Sequence, residues 1–312
     1  MYGLRECRRH AGEHGPVIRI DDGKALRRKL RNVPLEPPLF VRLTMLCAGT
    51  APRCDRGTDG RISMNATPPK RLVWSSDSTT HVGKVRKVNQ DACLERPELG
   101  LWAVADGMGG HEAGELASAR IVEHLRGVGQ PADMDQFINS VVDTLQAVNR
   151  DLREESARRH GATIGSTVAV LLVFGDQCAC IWAGDSRVYG SRGGRLERLT
   201  TDHSLVEEYV AQGKLNPQEA EASPAANVIT RAVGVEDLLE LDVRRFDLTG
   251  GDRFLLCSDG LFKEVSEPEM AEQLAGGTCH SVVDGLQATY LQRQARDNLS
   301  LVVVDITNPF AA

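Results

Sequence analysis

The stretch from Leu101 to Glu115, LWAVADGMGGHEAGE, restricts the fold of this 312-residue chain more than any other. Its apolar first part predicts a buried strand that ends at Asp106, and the glycines that follow allow the backbone to turn sharply. A carboxylate on a rigid strand end, beside open backbone carbonyls, suits an oxygen-preferring cation such as Mg²⁺ or Mn²⁺. Taken alone, an Asp-Gly pair is more often a simple turn.

Three other aspartates, Asp185, Asp259 and Asp297, also lie at predicted strand ends beside Gly or Asn. Four carboxylates gathered in one place would repel one another unless cations bind, and two or more divalent ions meet that demand. A two-metal site activates a bridging water and clamps a phosphoryl group for in-line displacement. Arg86, in the loop before Asp91, offers a planar guanidinium that suits phosphate oxygens, although alone it would be an ordinary loop charge.

The order of the predicted elements indicates an α+β fold. Antiparallel strands form a meander from 166 to 191 with turns at Gly175-Asp176 and Gly184-Asp185, and helices lie before and after it. This segregation favours packed sheet and helix layers over a Rossmann fold. The expected strands are 72–74, 101–106, 166–174, 177–183, 186–191, 239–246, 252–257 and 299–306, and the expected helices are 113–127, 133–158, 204–212, 217–221, 268–275 and 281–294.

The first 68 residues differ from the rest of the chain because prolines interrupt any regular element. We interpret 1–68 as a disordered or non-native N-terminal extension, with one short helix near Lys24–Leu30, and 69–312 as the folded domain. A working protein that begins near Met64 is the corresponding hypothesis. The polar excursion at about 200–236 is a candidate flap.

Composition excludes several classes of partner. The net charge of -6 argues against nucleic acid as the main partner, and no apolar run is long enough to span a membrane. A lipoprotein role for Cys47 stays open as a weak alternative. The 8 cysteines include no CxxC pair, which indicates reduced, buried thiols in a cytoplasmic protein rather than a zinc site or a disulfide framework.

Five motifs in a fixed order resemble those of the metal-dependent type 2C (PPM) protein serine/threonine phosphatases of bacteria, over about Leu72 to Ile306. The resemblance implies a sandwich of two antiparallel β-sheets flanked by helices, α-β-β-α, with metals at one end of the sandwich. The motifs are GKVRKVNQD at 83–91, DGMGGHEAGE at 106–115, GDSR at 184–187, SDGL at 258–261 and DN at 297–298.

Site roles follow from this resemblance residue by residue. Asp106 is expected to bridge two metals, and Gly107 to ligate through its carbonyl. Asp259 and Asp297 are expected to complete the first metal site. Asp91, and Gln90 more loosely through water, are expected to support the second.

Asp185 with Asp259 is expected to hold a third ion, and Arg86 to bind the substrate phosphate. The cofactors implied are two, possibly three, Mn²⁺ or Mg²⁺ ions. The implied reaction is hydrolysis of phosphoserine and phosphothreonine in proteins, with a metal-bridging hydroxide attacking phosphorus in line. The implied partners are phosphorylated proteins, substrates of a Hanks-type kinase, and the enzyme is expected to be a monomer. The motif around Asp106 also resembles phosphatases associated with type VI secretion.

The match has two departures and leaves alternatives open. Met108 stands where animal members carry a histidine proposed as general acid, so the acid is unassigned. His111, His160, His203 and a metal-bound water are the candidates. Gln90 replaces a glutamate, which removes one negative charge near the second metal. A phosphate-binding pseudo-enzyme would have lost a metal aspartate, and a GDS esterase using Ser186 would need a C-terminal histidine partner that is absent after His280.

Overall fold

The computed structural model describes residues 18–20, 72–109, 112–221 and 223–309. Within these ranges the strands, numbered in chain order, form two antiparallel sheets. The first sheet contains β1 (Ile18–Ile20), β3 (Asp91–Arg96), β4 (Leu101–Met108), β5 (Gly165–Ser166), β6 (Val168–Phe174), β7 (Gln177–Ala183) and β10 (Leu241–Asp247). The second contains β2 (Val73–His81), β8 (Arg187–Arg192), β9 (Arg195–Arg198), β11 (Arg253–Cys257) and β12 (Leu299–Thr307).

Helices cover the outer face of each sheet and confirm the predicted α-β-β-α sandwich. The two long helices, α1 (Ala113–Arg126) and α2 (Met134–Arg158), pack on the first sheet. On the second sheet lie α6 (Glu267–Leu274) and α7 (Cys279–Gln292). Shorter helices are α3 (Leu205–Ala211), α4 (Pro217–Glu221) and α5 (Asp259–Phe262).

Side-chain alternation along the strands builds the layers. In β4, Leu101, Ala103 and Ala105 face the helices, whereas Trp102 and Val104 face the opposite sheet. This is the two-residue period of a strand that is buried on both faces. A third core lies between the second sheet and α6 and α7. Such double burial explains why the central strands are almost continuously apolar in sequence.

One predicted turn is wrong. Gly184-Asp185 does not close a hairpin, because β7 belongs to the first sheet and β8 to the second. Gly184 has a φ of 107°, and a Cβ at this position would lie 2.6 Å from the side chain of Thr167. The link therefore needs glycine to cross between the sheets. The two-residue loop rule fails here because β7 is already paired with β6 and β10 on its two sides.

The sequence pattern predicts the strands at the sheet edges only in part or not at all. It ended the first strand at Trp74, whereas β2 continues to His81 and pairs with β12. It places Asp91 in a loop, whereas Asp91 begins β3, which pairs with β4 alone among the strands that the structure describes. Edge strands have one partner and a partly exposed surface, so they tolerate the Ser, Asp, Glu and Arg residues that obscure a strand pattern.

Most of the predicted extension lies outside the described residues, including Lys24–Leu30, Cys47 and Met64. The exception is Ile18–Ile20, which pairs antiparallel with β10. Among the described helices, none combines the length and the apolar character that crossing a membrane requires.

Trp102 provides a test of the packing between the sheets. Its side chain is fully buried, stacks edge-on against Trp74 and leaves its indole N–H without a partner. We expect Trp102→Ala to lower the free energy of unfolding by about 3–5 kcal/mol in urea denaturation. Trp102→Phe should cost less, because it keeps an aromatic ring and removes an unpaired donor.

Val228→Ala, at an exposed position, is the control and should change stability by no more than about 0.5 kcal/mol. A loss below about 1 kcal/mol for Trp102→Ala would contradict a close-packed interface between the sheets.

Candidate metal centre

Two aspartates face each other across the first sheet. The register of β3 and β4 makes Asp91 the direct antiparallel partner of Asp106. Like charges at directly opposed positions destabilise a strand pair. The backbone around Asp106 is nevertheless fixed, because Thr167 N–H donates to its carbonyl (2.8 Å) and Asp106 N–H donates to the Thr167 hydroxyl (3.2 Å).

Asp106 is the centre of a larger carboxylate cluster. Burial raises its pKa well above the ordinary value, and four neighbouring carboxylates raise it further: Asp91, Asp259, Asp185 and Asp297. Burial also raises the pKa of Asp91 to about 7, and burial with the charge of Asp259 raises that of Asp185 to about 7. The structure thus brings together at one end of the sandwich all five aspartates proposed from the sequence as ligands.

The oxygen atoms of this cluster fit divalent cations. Asp91, Asp185 and Asp259 each have a buried Oδ1 with no hydrogen-bond partner. Buried polar atoms are normally satisfied, and carboxylate oxygens are the preferred ligands of Mg²⁺ and Mn²⁺. Among the described residues, however, no three His, Cys, Asp or Glu side chains form a ready-made metal group.

Two cationic side chains occupy part of the carboxylate surface. Arg86 Nη2 lies 2.9 Å from Asp297 Oδ2, and Lys263 Nζ pairs with Asp259 Oδ2. If Asp259 and Asp297 ligate metal, as the sequence predicts, these cationic partners would have to be exchanged or shared. Lys263 is not among the residues predicted from the sequence, because the short helix α5 that brings it beside Asp259 is not predicted either. Its spacing of four residues from Asp259 was a usable signal.

Gly107 is required by close packing behind Asp106. A Cβ on Gly107 would lie 2.0 Å from the carbonyl oxygen of Gly114, at the start of α1. The N–H of Gly107 donates to the carbonyl of Gln90 (3.0 Å). These contacts bring the beginning of β3, the end of β4 and α1 against one another, which no larger residue would permit. The expected ligand role of the Gly107 carbonyl stays a prediction.

Arg86 lies beside the cluster on a loop held by Asn298. Asn298 Oδ1 accepts from Gln90 N–H (2.9 Å), and its Nδ2 donates to the carbonyls of Val82 (2.9 Å) and Val88 (3.0 Å). The hydrogen bond to Asp297 raises the pKa of Arg86, and the charges of Asp259 and Asp106 add to that effect. The Arg86 side chain is 54% exposed, so its guanidinium can meet a ligand from solvent.

Serines hold Asp91 from the opposite sheet. Ser258 Oγ donates to Asp91 Oδ2 (2.7 Å) and accepts from Ser300 N–H (2.9 Å). Ser258 follows β11 and Ser300 lies in β12, so this contact joins the two sheets at the cluster. Neither serine is among the site residues predicted from the sequence. A serine hydroxyl that orients a carboxylate can be identified only when it is known which strands lie side by side.

The structure shows the surroundings of two of the histidines considered as general acids, and of Ser186. His203 is buried, where its Nδ1 accepts from Gly184 N–H (3.2 Å) and its ring stacks on Trp182. His160 is exposed in the turn after α2, and His111 lies outside the described residues. Ser186 is buried and hydrogen-bonded to Thr167 (2.7 Å), so it cannot serve as an exposed esterase nucleophile.

The predicted flap corresponds to the excursion between β9 and β10. It contains α3 and α4. One antiparallel bridge, Ser204–Ile229, lies within the excursion, and a second, Ser166–Val233, joins it to β5. Near its start, Asp202 pairs with Arg187 (2.7 Å) and adds to the charge that acts on Asp185. The excursion therefore begins beside the carboxylate cluster.

Comparisons with known proteins identify relatives of this chain. A family model described as "Protein phosphatase 2C" matches residues 80–299. The chain is 36% identical over 200 residues to the protein phosphatase PhpP of Streptococcus pneumoniae, covering 62% of this chain and 81% of that protein. It is 30% identical over 238 residues to the serine/threonine protein phosphatase PstP of Mycobacterium tuberculosis, covering 76% of this chain and 46% of PstP.

Solved structures also superpose on most of the described chain. PppA of Pseudomonas aeruginosa, described as a key regulatory component of T6SS, superposes with a TM-score of 0.71 at 42% identity and covers 75% of this chain and 98% of PppA. The catalytic domain of PstP in complex with 2 manganese ions superposes with a TM-score of 0.69 at 29% identity, covering 76% of this chain and 99% of that domain.

The repulsion within the cluster predicts a pH dependence of stability. A pKa of about 7 for Asp185 in the folded state exceeds the unfolded value near 3.9, so the native state binds more protons between these values. The free energy of unfolding should therefore fall as pH rises from about 5 to 8 in chelator. Asp185→Asn should exceed the parent in stability by a clearly larger margin at pH 8 than at pH 5, as measured by urea denaturation.

Asp176→Asn, an exposed turn substitution outside the cluster, is the control and should show no such pH-dependent difference. Equal stabilisation by Asp185→Asn at both pH values would contradict the prediction, because it would mean that ionisation of Asp185 does not destabilise the folded state.

Proposed function

The chain belongs to the protein phosphatase 2C family, and from that premise we propose that its aspartate cluster is the active site for hydrolysis of phosphoserine and phosphothreonine in proteins. PhpP at 36% identity is named a protein phosphatase and PstP at 30% identity a serine/threonine protein phosphatase, and this chain is an enzyme of that class. The observation that carries the site assignment is the group of five mutually repelling aspartates with Arg86 beside it.

The ligand set follows from the position of each carboxylate. Asp106 interacts with all four other aspartates and would be shared between two ions. Asp259 and Asp297 would complete one site, and Asp91, held by Ser258, would support the other. When bound, Mn²⁺ or Mg²⁺ would supply an activated water and stabilise charge on the phosphoryl group. Manganese dependence agrees with the two manganese ions bound by the PstP catalytic domain.

Arg86 would bind the substrate phosphate. Its guanidinium is half-exposed and pairs with Asp297 through Nη2. The other N–H groups of the guanidinium point away from that hydrogen bond. A phosphate dianion would compete with Asp297 for this group, and a planar guanidinium can donate two parallel hydrogen bonds to phosphate oxygens. Asn298, by fixing both ends of the loop, would maintain the position of Arg86 over the cluster.

The biological context is a separate proposal. The substrates would be proteins phosphorylated by a Hanks-type kinase, and the 42% identity to PppA supports a role in regulating type VI secretion. A monomer would suffice, because every proposed site residue comes from one chain. The free thiols of the described cysteines agree with the reducing environment of the cytoplasm.

Metal-ligand substitutions test the proposed site. We expect Asp106→Asn and Asp259→Asn each to lower kcat for phosphopeptide hydrolysis by at least about 100-fold, because each removes a charged metal ligand without changing side-chain shape. Released phosphate measures the rate, and circular dichroism verifies the fold. EDTA should abolish activity of the parent enzyme, and added Mn²⁺ should restore it.

The exposed substitution Asp176→Asn is the matched control and should leave turnover unchanged. If both cluster variants stay folded and retain kcat within about tenfold of the parent, the aspartate cluster is not the catalytic centre.

Arg86 is tested by separating KM from kcat. Arg86→Ala removes a phosphate contact that exists already in the ground state, so KM for a phosphopeptide should rise about tenfold or more with a smaller change in kcat. Arg86→Lys should recover only part of the loss, because an ammonium lacks the guanidinium fork. Arg195→Ala, an exposed substitution in β9, is the control. An unchanged KM for Arg86→Ala would exclude contact with the phosphate.

A further inference from the structure

Lys263 introduces a positive charge into the carboxylate cluster from the end of α5. Its ammonium pairs with Asp259 Oδ2, and its charge also acts on Asp185 and Asp297. Residues four apart on a helix lie on the same face, so the first turn of α5 presents Asp259 and Lys263 together. This contact is distinct from the pairing of Arg86 with Asp297.

Packing keeps α5 close to the segment that carries Asp185. The guanidinium of Arg187 lies 3.6 Å from the ring centroid of Phe262, the residue before Lys263. Arg187 is in turn held by Asp202 (2.7 Å) and by the Tyr189 hydroxyl (3.0 Å). The crossing link that places Asp185 and the helix that places Lys263 are therefore connected through a cation–π contact.

We propose that Lys263 is a built-in cation that takes the place of a third divalent ion between Asp185 and Asp259, so that this enzyme binds two metal ions. The inference rests on the proposed metal centre and deepens it. Asp185 and Asp259 each retain a buried Oδ1 without a partner, which makes this pair the place where a further ion would bind. The Lys263 ammonium interacts with both of these carboxylates.

Charge balance favours this arrangement. Two divalent ions and one ammonium neutralise the five clustered carboxylates, and Arg86 is then left to meet the phosphate of the substrate. A third divalent ion beside Lys263 would place two cations at the same carboxylate pair, and their mutual repulsion would weaken binding of that ion. The fixed ammonium supplies positive charge at that place without depending on the concentration of free metal.

The number of bound Mn²⁺ ions per chain tests the proposal. Equilibrium dialysis of the full chain against excess Mn²⁺, followed by metal analysis, should give two ions for the parent. Lys263→Asp removes the ammonium and adds a ligand, so it should give three. Lys263→Gln removes the charge alone and should give two tight ions plus a weaker third at higher Mn²⁺. Lys214→Asp makes the same charge change at an exposed site and should give two.

Each result decides between distinct conclusions. Three ions in the parent would overturn the role of Lys263 and leave the metal centre intact. Two ions in both Lys263 variants, with folding verified by circular dichroism, would also overturn it. No bound Mn²⁺ in the parent would instead refute the metal centre on which the inference rests. If Lys263→Asp does not fold, the appearance or absence of a weak third ion in Lys263→Gln decides the question.

Discussion

Repulsion between buried carboxylates is the constraint on which the rest of this site depends. The register of β3 and β4 sets Asp91 directly opposite Asp106, and burial removes the water that would otherwise screen their charges. Such an arrangement is unfavourable unless positive charge compensates it. Arg86 and Lys263 provide part of the compensation, and divalent ions would provide the remainder. The repulsion between carboxylates that destabilises the metal-free protein therefore also favours the binding of metal ions.

The two sheets depend on each other at this end of the sandwich. Ser258, after a strand of the second sheet, donates to Asp91 in the first, and Ser186 bonds to Thr167 across the crossing link. Asn298 fixes the loop that carries Arg86. Because these contacts cross between layers, displacement of one sheet relative to the other would move the ligands. Ions that bind only the native arrangement would stabilise the whole sandwich.

The accuracy of the sequence analysis varied with position in the sheet. Central strands such as β7 were located to the residue, since double burial demands a continuous apolar run. Edge strands β2 and β3 were missed in large part, because one exposed side permits polar residues. The link at Gly184 was mistaken for a hairpin turn, since a local glycine signal cannot say which sheet receives the next strand. Local sequence patterns predict which residues are buried more reliably than they predict which strands pair.

The sequence already indicates the chemistry of the site, because four aspartates beside Gly or Asn at strand ends, with Arg86 in a nearby loop, favour hard cations and phosphate as ligands. It also determined the α+β layers, because side-chain periodicity fixes which faces are buried. The three-dimensional packing was needed to show which carboxylates oppose each other, and that Lys263 contacts Asp259 beside Asp185. These facts arise from strand register and packing between layers, which depend on contacts between residues far apart in the chain.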